Sequence, residues 1–310
     1  MHPRNNPANV FPLHGWIGLT AGALVQAALI LQLRPITTHF YSLIWWPYIL
    51  TMDGLVYYRR GHSLIKDRPR EFLLLIPWSV ALWLTFEAFN LVLQNWYYIG
   101  VPREMAIRWP GYFIAYGTVL PAIFETRELL DALGAFKKNQ VKAFYFSPRG
   151  HRNFILLGSA MLLLTLVRPA YAFPLVWLGF VFLLDPVNYR LGHPSLLKDL
   201  EQGSPTKFYQ LLLAGLICGG LWEFWNFWAS AKWIYTVPWV GEVKLFEMPV
   251  LGFFGFPPFA VECYVIAQSL GIYETSPNRL QWSWKAVPLW IVLYTLMFWA
   301  IDRFTVRLYA

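Results

Sequence analysis

Long apolar stretches, separated by short polar segments, run along almost the whole chain of 310 residues. About 20 apolar residues are enough for one helix to cross the hydrocarbon core of a bilayer. A window of that length predicts nine such helices, with ends placed to within several residues. They are expected at about 13–33, 38–58, 71–95, 106–129, 153–171, 172–189, 207–230, 247–272 and 286–307. The pattern therefore predicts an all-α polytopic membrane protein.

Polar positions inside these stretches recur between the two halves of the chain, at an offset of about 132 to 137 residues. Small loop insertions would explain why the offset grows along the chain. The matched positions are Arg34-Pro35 with Arg168-Pro169, Trp45 with Trp177, Asp53 with Asp185, Tyr57 with Tyr189, Glu87 with Glu223, Asn90 with Asn226, Pro102 with Pro238, Pro121 with Pro258, and Glu125 with Glu262. This recurrence predicts an internal duplication.

The duplication predicts two tandem repeats of four helices each, at residues 1–130 and 153–273. Four crossings return the chain to its starting side, so the repeats are expected to be parallel and related by an axis along the membrane normal. Residues 131–152 are expected to form a basic cytoplasmic connector, and residues 274–310 a C-terminal transmembrane helix. The weakest boundary is Arg168-Pro169-Ala170, because a short hairpin there would also fit.

Composition agrees with a membrane protein, because 57% of the residues are apolar, 14% are charged and the mean hydropathy is +0.42. Cytoplasmic loops are enriched in Lys and Arg, and a cytoplasmic N-terminus places 17 of the 25 basic residues inside. We therefore expect the C-terminus outside, in a plasma (inner) membrane. The net charge of +8 then indicates contact with anionic lipid headgroups at the cytoplasmic face, and no nucleic acid partner.

The first candidate site lies toward the outer leaflet and occurs in both halves. A charge inside a membrane costs about 2.5 to 3.5 kcal/mol on insertion scales, so such residues are paired or used chemically. The simplest expectation is one buried ion pair in each half, with a nearby asparagine extending the hydrogen bonds. The alternatives are a clamp for the polar head of a lipid-like ligand, or a protonatable acid. The residues are Arg34, Glu87 and Asn90, with Arg168, Glu223 and Asn226.

The second candidate site lies toward the cytoplasm. Asp53 and Asp185 are each followed four residues later by a tyrosine on the same helical face, Tyr57 and Tyr189. Both helices then end in Gly-His, where glycine is expected to be a helix C-cap and histidine a solvated loop residue. A metal site between His62 and His193 is the weaker alternative, because no zinc-ligand spacing accompanies them.

Two further carboxylates, Glu125 and Glu262, follow prolines by four residues. A proline inside a helix frees a carbonyl, and such carbonyls beside a carboxylate would suit a cation or a proton. For Glu125 the favoured interpretation is the membrane exit of its helix, and for Glu262 a buried role. Asp302 and Arg303 are expected to form a local ion pair at the outer end of the last helix.

Aromatic residues make up 19% of the chain, which suits interfacial belts, aromatic-lined pockets or both. Soluble-enzyme motifs and a phosphate-binding glycine loop are absent from the sequence, and Cys218 and Cys263 lie in apolar runs. No metal site is expected, and the sequence indicates no particular cofactor. Duplicated helical units with intramembrane carboxylates resemble the integral-membrane lycopene and terpene cyclases in architecture, with no shared motif from which residue roles could be transferred.

Three functions follow as hypotheses. The preferred one is a membrane-embedded enzyme or binder acting on a lipid-like or isoprenoid substrate, with buried carboxylates as general acid or base in an aromatic pocket. The alternatives are a proton- or cation-coupled transporter with a path between the repeats, and a pigment-binding or scaffold subunit. The candidate catalytic residues are Glu223, Glu87, Glu262, Asp53 and Asp185. The candidate substrate contacts are Asn90, Asn226, Arg34, Arg168, Tyr57, Tyr189 and Trp222.

Overall fold

The computed structural model describes residues 10–238, 243–274, 287–307 and 309. Most of these residues are helical, and seven helical segments are long and apolar enough to cross a membrane. Their length and composition indicate an α-helical membrane protein. The segments are Leu13–Ile30 (α1), Pro69–Leu93 (α4), Pro148–Val167 (α7), Pro169–Leu191 (α8 and α9), Thr206–Trp228 (α11), Val250–Leu270 (a 3₁₀ turn and α12) and Val287–Phe304 (α13).

The other two predicted spans are not among these seven segments. One is α2, Ile36–Arg60, a single helix of 25 residues that packs along α1. The other consists of two shorter helices, α5 (Met105–Tyr116) and α6 (Val119–Ala132). Ser79 bridges the break between them, because its Oγ donates to the Tyr116 carbonyl at 2.6 Å and accepts from the Leu120 N–H at 3.0 Å.

The prolines that precede Glu125 and Glu262 lie near the starts of their helices. Pro121 lies in the first turn of α6, and Pro258 lies in the first turn of α12, Phe256–Leu270. The first N–H groups of a helix have no partner within it, so a proline at these positions leaves no gap inside the helix. The expectation that both prolines lie in helix interiors, with freed carbonyls beside Glu125 and Glu262, is therefore wrong.

Two helical hairpins pack through glycine. In the first, a Cβ on Gly18 of α1 would lie 2.7 Å from the carbonyl oxygen of Pro47 in α2. In the second, a Cβ on Gly158 of α7 would lie 2.4 Å from the backbone nitrogen of Leu183 in α9, Val176–Leu191. The absent side chains let the helix backbones approach closely, as in many membrane helix pairs. Around Arg168 the chain thus forms two helices, joined by α8 (Pro169–Ala172) and the 3₁₀ turn Phe173–Leu175.

On the side predicted to be cytoplasmic, two long helices each end at a glycine and continue into a short helix. Gly61 and Gly192 adopt left-handed conformations, with φ of 74° and 72°, and cap α2 and α9. This confirms the predicted C-caps, which favour glycine because a Cβ disfavours positive φ. The short helices are α3, Leu64–Asp67, and α10, Leu196–Glu201.

On the opposite side, short strands connect the halves. Strands β1 (Trp96–Ile99) and β2 (Lys232–Tyr235) follow α4 and α11 and pair antiparallel. The segment after α13 adds parallel bridges to the first of them, with Tyr98 opposite Val306. We call β1, β2 and this segment the outer ribbon. A small hairpin of β3 (Lys244–Leu245) and β4 (Met248–Pro249) completes the strands of the described residues.

Candidate functional site

A cavity of about 410 Å³ lies beside the outer ribbon and is lined by residues of both halves. Its volume falls within the range of small-molecule sites, about 300 to 1,000 Å³. The lining is mostly apolar and strongly aromatic, which suits a ligand with little polarity. Trp222, a predicted substrate contact, lies in its wall. The aromatic residues that matter most below are Trp83, Trp96, Tyr98, Trp233 and Tyr235.

Glu87 of α4 lies fully buried behind one part of this wall. Its Oε1 accepts hydrogen bonds from Trp83 Nε1 at 2.9 Å, from Trp96 Nε1 at 3.1 Å and from the hydroxyl of Tyr98 at 2.5 Å. The Tyr98 hydroxyl also accepts from Tyr116 at 3.2 Å. The donors of Glu87 line the cavity. Their hydrogen bonds replace, at Oε1, the water that a charged group loses on burial, whereas Oε2 has no partner in the described part of the chain.

Glu223 of α11 occupies the corresponding position in the second half and is also fully buried. Its Oε1 accepts one hydrogen bond, from the hydroxyl of Tyr235 at 2.8 Å. The indole Nε1 of Trp233 has no hydrogen-bond partner in the described part of the chain. Both acids thus accept a hydrogen bond from a tyrosine of the cavity wall, but Glu87 has three donors in all and Glu223 has one.

Asn90 and Asn226 hold the outer ribbon in place. Asn90 Nδ2 donates to the Trp96 carbonyl at 2.9 Å, and its Oδ1 accepts from the Trp96 N–H at 3.2 Å. Asn226 makes the same two bonds with the backbone of Trp233, at 2.9 and 3.0 Å. Their amides are therefore occupied by backbone, and neither asparagine belongs to the cavity lining. They act by placing the tryptophans and tyrosines of both strands.

The expected arginine–glutamate ion pairs do not form. Arg34 and Arg168 are exposed, and neither belongs to an ion pair within the described residues. Other partners occupy the two acids instead, because indole and phenol groups bond Glu87 and the phenol of Tyr235 bonds Glu223. Arg34 and Arg168 also lie outside the cavity lining, so their predicted role as a ligand clamp is not supported.

Asp53 and Asp185 cap the short helices. Asp185 accepts from the N–H groups of Leu196 and Leu197, at 3.0 and 2.9 Å, and from the Ser195 hydroxyl at 3.2 Å. Asp53 does the same at α3, accepting from Ser63 Oγ at 2.7 Å and from the backbone of the next turn. The helix N-terminus attracts a negative charge, so both aspartates have a structural use.

The tyrosines predicted beside these aspartates lie at the same end of the molecule, away from the cavity. The Tyr57 ring packs 5.9 Å from Lys66 Nζ, and the Tyr189 hydroxyl donates to Glu201 at 2.7 Å. Both contacts tie a long helix to the short helix that follows it. Neither tyrosine lines the cavity, so the structure separates this set from the outer acids.

Glu125 and Glu262 are both fully buried. For Glu262 this agrees with the expected buried role, and its Oε1 accepts from the Phe180 N–H at 3.0 Å. The Glu125 side chain lies inside the protein beside Asp53 and not at a solvent-exposed helix end. His14 approaches that aspartate from α1, with 2.7 Å between Nε2 and Oδ2. These groups lie outside the cavity lining.

The edge of the cavity carries two ion pairs. Arg108 Nε donates to Asp302 Oδ1 at 2.8 Å, and Trp109 Nε1 donates to the other carboxylate oxygen at 2.8 Å. The expected pair of Asp302 with Arg303 is therefore wrong, because Arg108 on α5 reaches the aspartate instead. Lys232 pairs with Glu247 at 2.6 Å. Arg108 and Lys232 both belong to the lining, and both charges are neutralised locally.

A separate group of charged residues, which we call the inner charge cluster, links α4, α6, α11 and the segment that follows α12. It consists of Arg68, Glu71, Arg127, Glu128, Lys207 and Glu274. Lys207 Nζ lies 2.9 Å from Glu274 Oε2, and Arg127 pairs with the other oxygen. Burial alone would raise the pKa of Glu274, but these two positive charges outweigh it and hold the pKa below the usual glutamate value.

Sequence reasoning missed the aromatic partners of the outer acids. Trp96 and Trp233, like Tyr98 and Tyr235, are separated by the same 137 residues as Pro121 and Pro258. This shared offset could have identified the four aromatic residues as matched positions of the two halves. No group of three or more His, Cys, Asp or Glu residues able to hold a metal ion occurs among the described residues.

Comparisons with protein family models, curated proteins and solved structures found no match for this chain.

Proposed function

We propose that the cavity binds a lipid-like or isoprenoid molecule, and that the protein is a membrane-embedded enzyme acting on it. The observation that carries the proposal is the combination of an aromatic wall with two carboxylates hydrogen-bonded to its tyrosines. The wall offers an apolar chain a large contact area and offers developing positive charge the faces of indole and phenol rings. The acids supply a group able to exchange a proton with the bound molecule.

The proposed location is a plasma (inner) membrane with the N-terminus inside and the C-terminus outside, and α2 and the pair α5–α6 would complete nine crossings. We propose further that the halves arose by duplication. Two matched features support this: each half has a buried glutamate bonded to a tyrosine of its strand, and an asparagine bonded to the backbone of its tryptophan. The residues are Glu87, Asn90, Trp96 and Tyr98, with Glu223, Asn226, Trp233 and Tyr235.

The transport hypothesis has less support. It needs acids that line a path and change partners during the cycle. Asp53 and Asp185 are instead bound by helix N-termini, and Glu262 is bound by the Phe180 N–H. A pigment-binding role would use the same cavity without chemistry, and it differs from the enzyme in releasing its ligand unchanged.

Filling the cavity tests the proposal. Gly111 lines the cavity, and a Cβ at this position meets no atom within 4 Å. Gly220 also has open space but does not belong to the lining, so it provides a matched control. Wild type, Gly111→Phe and Gly220→Phe would be purified in mild detergent, and their bound molecules extracted and identified by mass spectrometry.

We expect wild type and Gly220→Phe to retain the same apolar molecule, and Gly111→Phe to lose most of it. Incubation of the loaded protein would then separate conversion from simple binding, since an enzyme yields a new product. Equal lipid content in all three proteins would show that the cavity is not a ligand site.

A further inference from the structure

The two buried glutamates beside the cavity have matched positions but different surroundings. Glu87 receives three hydrogen bonds from the protein, and Glu223 receives one. Three donors on one carboxylate favour its charged form, because each N–H or O–H dipole points its positive end at the oxygen. A fully buried carboxyl group with a single donor is better accommodated as the neutral acid.

Two donors make up the difference, the indoles of Trp83 and Trp96. Trp83 precedes Glu87 by four residues and donates to it, whereas Gly219 precedes Glu223 by four. A Cβ on Gly219 would lie 2.1 Å from the ring of Phe256, which forms part of the cavity wall. The second half therefore has a phenylalanine of the wall where the first half has an indole donor.

No other charge compensates at Glu223. The ionisable groups that interact with Glu223 are Tyr235, Tyr41 and Glu247, and Glu247 is already paired with Lys232. None of them supplies a positive charge to Glu223. The second missing donor is the indole of Trp233, the counterpart of Trp96, which lies beside Glu223 and Tyr235 without a well-formed hydrogen bond in the described part of the chain.

We infer that the two glutamates have different roles. Glu223 is a neutral acid that serves as the proton source of the cavity, and Glu87 is an ionised carboxylate that holds the aromatic residues of the wall in place. The role as a proton source rests on the proposed function, whereas the difference in protonation does not. The neutral Glu223 would donate its proton to the Tyr235 oxygen, reversing the hydrogen bond between them, while Tyr235 passes its own hydroxyl proton to the ligand. This exchange leaves Glu223 ionised and the ligand protonated, so a ligand with an electron-rich double bond or an oxygen near Tyr235 is required.

Infrared difference spectroscopy of the protein in lipid nanodiscs tests the inference without a ligand. Protonated carboxyl groups absorb in a different region from carboxylates, and only the former shift on deuteration. We expect Glu223→Gln to remove a carboxylic acid band at neutral pH, and Glu87→Gln to remove carboxylate intensity. Glu104→Gln, at an exposed position, controls for loss of a solvated glutamate.

A second variant keeps the test decisive should either glutamine protein fail to fold. Trp83→Phe combined with Trp96→Phe leaves Glu87 with one donor, as at Glu223, and is expected to produce a new carboxylic acid band. Trp228→Phe, at an exposed tryptophan, should leave the spectrum unchanged. Loss of the acid band in Glu87→Gln, identical spectra for both glutamine variants, or an unchanged spectrum in the double variant would each overturn the inference. The Gly111→Phe experiment tests ligand binding, and its result does not depend on the infrared result.

Discussion

Arg108 on α5 and Asp302 on α13 form a two-point ion pair at the edge of the cavity, 194 residues apart in the chain. Both side chains are largely buried, with exposures of 7% and 14%. Removing one partner of such a pair leaves a buried charge without compensation, at a cost of about 3 kcal/mol. We expect Asp302→Asn to lower the unfolding free energy by about that amount in detergent. Arg303→Gln, at the exposed neighbouring position, should change it by less than about 0.5 kcal/mol, and equal effects of both substitutions would contradict this pairing.

Adjacent glycines on α11 should respond in opposite directions to the same substitution. At Gly219 an alanine Cβ would overlap the Phe256 ring, and overpacking of this kind costs about 1 to 3 kcal/mol. At Gly220 no atom lies within 4 Å, and replacing a helical glycine by alanine favours the helix by about 0.5 to 1 kcal/mol. Thermal unfolding of the two alanine variants would show this, and a Gly219→Ala protein as stable as wild type would exclude tight packing there.

The capping role of Asp185 predicts that the shape of its side chain matters more than its charge. Asp185→Ala leaves the buried N–H groups of Leu196 and Leu197 without an acceptor and should cost about 2 kcal/mol. Asp185→Asn retains one oxygen acceptor and should cost about half as much. Chemical unfolding of both variants gives the comparison. Equal losses would indicate that the negative charge, and not the cap, is what the position requires.

The inner charge cluster predicts a dependence of stability on acid pH. The pKa of Glu274 is lower in the folded protein than its ordinary value of 4.5, so its charge stabilises the fold above that value. This contribution is lost as the pH falls from 4.5 through the lower folded value. Wild type should therefore lose more stability than Glu274→Gln when the pH is lowered from 7 to about 3. A Glu104→Gln control should follow wild type, and parallel curves for wild type and Glu274→Gln would refute the prediction.

The class of the protein and the helices could be predicted from the sequence because burial in a bilayer imposes a strong pattern of hydropathy. The helix ends at Gly61 and Gly192 were predictable for a similar reason, since few residues adopt positive φ. The partners of the charged residues were not. Both arginine and several indole or phenol donors can satisfy a buried carboxylate, and the local sequence around Glu87 does not distinguish between them.

Pairs of residues far apart in the sequence were the hardest contacts to predict. Asp302 has an arginine as its immediate neighbour in the sequence, yet it binds one 194 residues away, because the packing of α13 against the rest of the fold decides which cation is reachable. Glu125 was expected at a membrane exit from the charges beside it, whereas the fold buries it near Asp53. Local patterns predict elements, but contacts between elements depend on packing.

The outer ribbon combines segments that lie far apart in the sequence and are therefore synthesised at different times. Tyr98 of β1 lies opposite Trp233 of the second half and opposite Val306, which is synthesised about two hundred residues later. The first half therefore enters the membrane with the backbone groups of its strand still unpaired. Assembly of the outer ribbon, and of the cavity wall that it forms, must therefore wait until most of the chain has been made.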